Sequence, residues 1–304
     1  MLRYLLARLL GLPPVLLVIV TASFFIMRIA PGGPFDMDRA LPEQVRLNIE
    51  AKYHLDEPLL RQYLRYLGDV VQGELGPSYR YPDRSVNELI ALGFPVSLTL
   101  GLCALSFAVL MGGLAGVLAA IRHNRLADYL TMAVALGGVS IPNFVLGPLL
   151  ILTFALWLGW LPVAGWGTWR HVVLPSLTLG AFYTAYVARL SRAGMLEVIL
   201  QDFIRTARAK GVSEALVIAR HALPSAVLPV VSYLGPAAAG ALTGSVVVET
   251  IFSVPGIGRY FVTSALNRDY TMVLGTVVFY SGLLVAFNLV VDCLYAYLDP
   301  RVTY

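Results

Sequence analysis

Residues able to bind or cut a ligand are few in this sequence, and none stands at a spacing that signals a reaction. Only two lysines occur, Lys52 and Lys210, and each follows an alanine. A phosphate-cradling loop ends in Gly-Lys-Ser/Thr, because backbone N–H groups and the lysine must close on the same phosphates. Neither lysine sits in such a loop, so no Walker-type ATP site is present, and ATP-driven work would need the nucleotide on another chain. The four histidines, His54, His123, His171 and His221, are scattered, and neither His-Glu-x-x-His nor Gly-x-Ser-x-Gly occurs. Metal and hydrolytic signatures are therefore missing. Cys103 and Cys293 both lie in apolar stretches, where a cysteine reads as a small buried hydrophobe rather than half of a disulfide framework.

What remains is a handful of polar groups embedded in apolar runs. Asn143 follows Pro142, and Asn288 lies in the last apolar stretch. An asparagine there either bonds across helices or lines a path. Glu249 and Asp292 sit near the ends of apolar stretches. Acids inside a membrane are functional suspects by default, as gates or conformational elements, although an end position can also reach headgroups.

The elements that must position these groups follow from composition. Hydrophobic residues make up 58% of the 304, charged ones only 13%. Soluble domains carry roughly 25% charged residues, so there is too little charge here to cover a soluble surface. The chain reads as an all-α polytopic membrane protein. Its net charge of +4 does not point to nucleic acid, because the basic residues form no run or stripe.

Charge-free stretches of 19, 33, 41, 18, 28 and 22 residues lie between Arg8 and Arg28, Glu88 and Arg122, Asp128 and Arg170, Arg170 and Arg189, Arg220 and Glu249, and Asp269 and Asp292. A spanning helix needs about 20 residues. They predict about six spans, near 9–29, 97–120, 129–157, 172–190, 226–248 and 272–294. The 41-residue stretch has room for two short helices but reads as one helix plus an outer loop. All four tryptophans, Trp157, Trp160, Trp166 and Trp169, fall in its last part with Gly159, Pro162, Gly165 and Gly167. Tryptophan favours the membrane–water interface. The first span has the basic flank of a signal peptide. Its apolar run is too long for one and no small-x-small site follows, so an uncleaved helix is expected, stopped by Pro31-Gly32-Gly33-Pro34.

With the N-terminus inside, the inner segments carry 11 Lys/Arg and the short outer loops 3. The excess of Lys/Arg on one side predicts that both termini are cytoplasmic. Three regions are expected: residues 1–30 as a first transmembrane helix, 31–95 as an extracytoplasmic segment, and 96–304 as a five-helix core. In the outer segment Leu60, Tyr63, Leu64, Leu67, Val70 and Val71 recur at helical spacing, which predicts amphipathic helix. That segment is a scaffold cap, a docking face for an extracytoplasmic partner, or both. The inner loop 191–225 reads as helix over Met195–Lys210, a break at Gly211, a second short helix capped by Ser213 with Glu214 in its first turn, and an end at Pro224. On the outside, Pro255, Gly256 and Gly258 force a tight turn after the fifth span.

The stretch Gln201–Pro229 resembles the cytoplasmic loop of ABC-importer permeases. Their pattern is Glu-Ala-Ala, three residues, Gly, nine residues, Ile-x-Leu-Pro. Arg205, Thr206 and Ala207 take the first places here, Gly211 the glycine, and His221, Leu223 and Pro224 the end. The Arg, Thr and His depart from the general pattern and match the peptide and nickel importer branch. Met1–Pro34, Gly159–Trp166, Val246–Phe261, Leu266–Tyr270 and Asn288–Tyr304 extend the resemblance across nearly the whole chain. Asn48–Pro58 and Val231–Ala237 look most like the oligopeptide type, with dipeptide, glutathione and nickel permeases as close relatives.

The resemblance implies a type I ABC-importer permease fold and no enzymatic activity in this chain. It implies a second homologous permease chain, two cytoplasmic ATPase subunits that hold ATP and Mg, an extracytoplasmic peptide-binding protein, and surrounding membrane lipid of a bacterial inner membrane. No cofactor, metal or nucleic acid is expected on this chain. The ATPase-coupling residues implied are Arg205, Thr206, Ala207, Lys210, Gly211, Ser213, Glu214, His221, Leu223 and Pro224, with Ala207 and Ala209 keeping the first turn slim. Pore or gate candidates are Asn143, Glu249, Asn288 and Asp292. Candidates for contact with the binding protein are Phe252, Pro255, Gly256, Gly258 and Arg259. Two other classes compete. A proton-coupled secondary transporter would show internal repeats and mid-membrane acids, and an intramembrane hydrolase would show a nucleophile motif; neither pattern occurs.

Overall fold

The computed structural model describes residues 2–29, 54–81 and 83–298, and its regular structure is helical throughout these. Helix α1 (Leu2–Ile29) tolerates Pro13 and Pro14 inside it. The Pro-Gly-Gly-Pro stop expected after it lies outside the described residues. Helix α2 (Leu59–Val71) is the amphipathic helix predicted in the outer segment, preceded by an ion pair between Arg65 and Glu57 at 2.7 Å.

Helix α3 (Val86–Phe107) runs through a π-helical turn at Ala108–Gly112 into α4 (Gly113–Ile121), 36 residues in all. Helices α5 (Leu126–Ser140) and α6 (Asn143–Leu150), the latter continued as a π-helical stretch to Trp157, meet at 108°. The expected single helix over 129–157 is thus broken. Pro142 disfavours the helical conformation at Ile141, which is extended (φ −97°, ψ 116°), and the chain restarts a helix in a new direction.

Helix α7 (Trp169–Ile199) is the longest at 31 residues. Helix α8 (Asp202–Ala209) follows it. The helix expected to run unbroken over Met195–Lys210 is interrupted, because Gln201 adopts an extended backbone (φ −77°, ψ 154°). No glycine or proline marks that break. Next come α9 (Glu214–Leu216), a π-helical turn (Val217–Ala222) and α10 (Leu223–Ala226). Proline 224 does not end this segment, contrary to expectation. It sits in the first turn of α10, where a missing N–H costs nothing. The direction changes instead by 50° ahead of α11 (Leu228–Ile251). Helices α12 (Ile257–Leu266) and α13 (Tyr270–Leu298) complete the chain.

Among the described residues, three helices are long and apolar enough to cross a membrane: Val86–Ile121, Trp169–Ile199 and Tyr270–Val290. The bent pairs α5–α6 and α9–α11 raise that to five if each is one span, and Pro13–Ile29 is a shorter apolar helix.

The chain divides into two compact units. One takes the described residues up to Val96 with Pro255–Val285; the other takes Ser97–Val254 and the end of α13. In the first, Val86, Leu89, Ile90, Ile257 and Met272 form a buried apolar cluster. Asp269 organises its polar side. Its carboxylate accepts from the Ser78 hydroxyl, from the backbone N–H of Tyr79, Arg80 and Met272 (3.2 Å each), and from the Thr271 hydroxyl at 3.0 Å. It thereby caps α13 and fixes the turn at 78–81.

In the second unit, small residues let helices meet backbone to backbone. A Cβ added at Gly112 would stand 2.6 Å from the Thr184 carbonyl oxygen, and at Gly116 2.4 Å from that of Ala188. Helices α4 and α7 therefore touch with no side chain between them.

Candidate functional site

The segment from Gln201 to Ala226 has a buried face and an exposed one. Ile204, Ala207, Val217, Ala222 and Ala226 point inward and share an apolar cluster with Ala120 of α4 and Met195 and Val198 of α7. Arg205, Thr206, Lys210, Gly211, Ser213, Glu214, Leu223 and Pro224 are exposed, and His221 is half-buried. Of the ten coupling candidates, Ala207 alone is buried, so it packs rather than presents. Ala209 is exposed.

Gly211 has φ +76°, in the left-handed region where a side chain is strained. It follows the end of α8, where Lys210 N–H bonds to Thr206 C=O at 3.1 Å and Gly211 N–H to Arg208 C=O at 3.0 Å. Ser213 occupies the N-cap position of α9 with an extended backbone, though no capping bond from its side chain forms. Across the turn, Arg208 donates to Glu214 through two bonds, Nε to Oε2 at 3.0 Å and Nη2 to Oε1 at 2.7 Å. These bonds hold the Glu214 carboxyl below its ordinary 4.5 and push the Arg208 guanidinium up. The pair clips α8 to α9 across Gly211.

Two features behind this segment were not expected. A Cβ added at Gly194 of α7 would meet the Ala226 carbonyl oxygen at 2.4 Å, so the end of the segment lies against the α7 backbone. Beside it, Asp128 on α5 is buried and paired at two points with Arg192 of α7. The Asn124 N–H adds a bond to the same carboxylate at 3.1 Å. Asp128 and Arg192 are 64 residues apart, and no local spacing could have joined them.

The pore and gate candidates are not brought together. Asn143 opens α6 and Asn288 lies in α13, both half-buried. The Asp292 side chain lies outside the described residues. Glu249 is fully buried, so it does not reach headgroups. Its Oε1 accepts from Ser97 and Ser245 hydroxyls at 2.7 Å each, which ties α3 to α11. Ser245 stands four residues before Glu249, one turn away on the same face, and was legible; Ser97 was not.

Among the proposed binding-protein contacts, Phe252, Gly256 and Gly258 are buried, whereas Pro255 and Arg259 are exposed. Gly256 is the N-cap of α12 and Gly258 lies within that helix, so the expected tight turn is confined to 252–256, with Ser253 at φ +51°. The Phe252 carbonyl accepts from Gly165 N–H at 2.8 Å, which fastens the tryptophan-rich loop to the end of α11. No cluster of metal-ligating side chains occurs among the described residues.

Comparison with known proteins matches this arrangement to a family. Residues 112–304 match the model of the binding-protein-dependent transport system inner membrane component, and residues 1–100 match the N-terminal model of the same systems' membrane component. The oligopeptide transport system permease protein OppB of Haemophilus influenzae is 50% identical over 306 residues, covering 100% of both chains. The dipeptide transport system permease protein DppB of Bacillus subtilis is 46% identical, covering 99% of this chain and 98% of its own. Among solved structures, an inward-facing MetNI methionine ABC transporter covers 69% of this chain and 96% of its own at TM-score 0.55, with 17% identity, which speaks to the fold alone. The chain belongs to the family of binding-protein-dependent transport system inner membrane components.

Proposed function

We propose that this chain is the transmembrane permease subunit of an ATP-driven importer that carries oligopeptides from an extracytoplasmic binding protein into the cytoplasm of a bacterium. The observation that carries the reading is the two-faced segment 202–226, apolar and anchored inside, polar and exposed outside, with a left-handed glycine at its turn. A surface of that kind can be gripped from the cytoplasm and moved as a body. The relatives named for oligopeptide and dipeptide transport support the substrate class.

In this reading the chain is not an enzyme. ATP and Mg belong to two cytoplasmic ATPase chains, a second homologous permease completes the pore, and lipid surrounds both. Nucleic acid plays no part. Six spans are supplied by α1, α3–α4, α5–α6, α7, α11 and α13, with both termini cytoplasmic and the inner excess of Lys/Arg setting the direction. Residues 1–30 form the first span, 31–95 the extracytoplasmic segment, and 96–304 the core with its coupling loop 191–225. Arg205, Thr206, Lys210, Gly211, Ser213, Glu214, His221, Leu223 and Pro224 face the ATPase, and Ala207 anchors them. Glu249 holds the outer end of the path together, with Asn143, Asn288 and Asp292 as further path candidates. Pro255 and Arg259 are the accessible contacts for the binding protein, backed by Phe252, Gly256 and Gly258.

Uptake of labelled peptides into vesicles holding the purified complex tests the reading. Uptake that depends on both ATPases, and is lost in Gly211→Trp while ATP hydrolysis persists, is the expected result. Uptake that continues without the ATPases rejects the importer. The same role for dipeptides is a second reading, favoured by the 46% identical relative. Uptake of dipeptides in preference to pentapeptides would select it.

A further inference from the structure

The exposed face of α7 carries two kinds of surface chemistry that do not belong together in lipid. Phe182, Tyr186 and Arg189 stand at i, i+4 and i+7 and therefore on one stripe of the helix. The Phe182 and Tyr186 rings lie 4.9 Å apart, and Tyr233 of α11 stacks on Tyr186 at 5.5 Å with planes 19° apart. The Arg189 guanidinium lies over the Tyr186 ring at 5.6 Å. Arg189 is exposed, and among the described residues it forms an ion pair with no carboxylate, whereas Arg192 one turn on is paired with Asp128.

The exposed face of α4, by contrast, is aliphatic. Leu114 and Leu118 on α4, and Leu130 and Val134 on α5, suit acyl chains. The α7 stripe together with Tyr233 of α11 offers instead two phenol rings, a phenyl ring and a positive charge with no carboxylate paired to it among the described residues. Counting down α7 from Trp169, Phe182 lies about 20 Å and Arg189 about 30 Å along the axis, which places the stripe over the inner half of a ~30 Å hydrocarbon core. Arg189 thus stands at the inner edge of the core, where its guanidinium can reach water.

We infer that Phe182, Tyr186, Arg189 and Tyr233 form a contact lane for the peptide on the inner half of its path. The rings take apolar and aromatic side chains and the peptide plane, and the Arg189 guanidinium takes a peptide carboxylate. The occupant is committed by charge: a single free guanidinium beside stacked rings fits an anionic group on a chain with apolar side chains. The inference rests on the peptide-importer reading above.

The test uses the full importer in vesicles with its binding protein, with Cys103 and Cys293 replaced by serine. Tyr186→Cys and Arg189→Cys are exposed to a membrane-impermeant thiol reagent, and Leu118→Cys on α4 serves as the lipid-facing control. The expected result is labelling at 186 and 189 but not at 118, slowed severalfold while a transportable peptide is turned over. Arg189→Gln is expected to lower uptake of a free-acid peptide about tenfold relative to its C-terminal amide, with Arg189→Lys recovering most of the difference. An acidic side chain elsewhere in an amidated peptide restoring the effect would assign the carboxylate to side chains rather than the terminus. Labelling at 186 as slow as at 118 would mean that lipid or the second permease covers the stripe, and would overturn the inference. So would labelling indifferent to peptide. If the complex with its native cysteines takes up no peptide at all, the importer reading fails rather than this lane.

Discussion

Arg192 and Asp128 meet at two points, Nε to Oδ1 and Nη2 to Oδ2, both at 2.7 Å. The carboxylate is buried and the guanidinium partly open, with His123 3.3 Å from the same Arg192 nitrogen. A planar fork matched to a carboxylate is the stronger kind of charged contact. Here it joins the start of α5 to α7, near the segment 202–226.

Asp128→Asn leaves the partly open guanidinium with a neutral partner that accepts at one point only. It should destabilise the protein by about 1–2 kcal/mol, read as a fall in melting temperature in detergent. Arg192→Lys should lose most of the benefit, because an ammonium cannot reproduce the two-point geometry. Equal stability of the lysine variant and the parent would contradict the role given to the fork.

Gly211→Ala forces a Cβ into the left-handed region at φ +76°. The expected cost is about 1 kcal/mol, and Gly211→Asn should cost less because asparagine tolerates that region. Transport per ATP hydrolysed should fall in the order Gly, Asn, Ala. Indistinguishable coupling ratios in the three proteins would show that the turn's handedness is irrelevant.

Ser97→Ala removes one hydroxyl that donates to Glu249 Oε1, and Ser245→Ala another. Each single change should cost about 1–2 kcal/mol. The double variant should differ from the sum, since both act on one buried oxygen. Strict additivity in thermal unfolding would argue that the two bonds are independent.

Acid should loosen the clip between α8 and α9. The folded-state value of Glu214 lies below 4.5. Its stabilisation is therefore complete above about pH 4.5 and is lost as pH falls through the folded value. Both partners are well exposed, so the amount is only ~0.2–1 kcal/mol. Glu214→Gln should lower stability by that much at neutral pH, leave it unchanged at low pH, and so flatten the acid limb of the profile.

Gly116→Val places a side chain where the Ala188 carbonyl oxygen already stands. The backbones of α4 and α7 cannot separate without opening the cluster around Met195, so little folded protein should be recovered. Normal yield and melting temperature would show that the contact can give.

The sequence made the local features readable and hid the distant ones. Gly211, Ser213 and Glu214 announced a turn and a helix start by residue type alone, and the amphipathic spacing from Leu60 to Val71 announced α2. The bend at Ile141–Pro142 was equally present in the residues, but the uniform apolar run around it masked a 108° change of direction. The break at Gln201 carried no signal, since an extended glutamine there is set by packing of Ile204 and Ala207 below it. Glu249 read as a group near a span end because its partner Ser97 lies 152 residues away. Charges that look isolated in a sequence are the ones whose partners only the fold supplies.

The missing side chain at Gly194 has one more consequence. With the Ala226 carbonyl resting on the backbone of α7, there is no flexible side chain between them to absorb a small displacement. A push delivered to the exposed face of the segment 202–226 reaches α7 without slack. At 31 residues, that helix is a rod about 46 Å long. It runs from that contact to Trp169 at its far end, so a tilt imposed at one end is felt, by leverage, at the other.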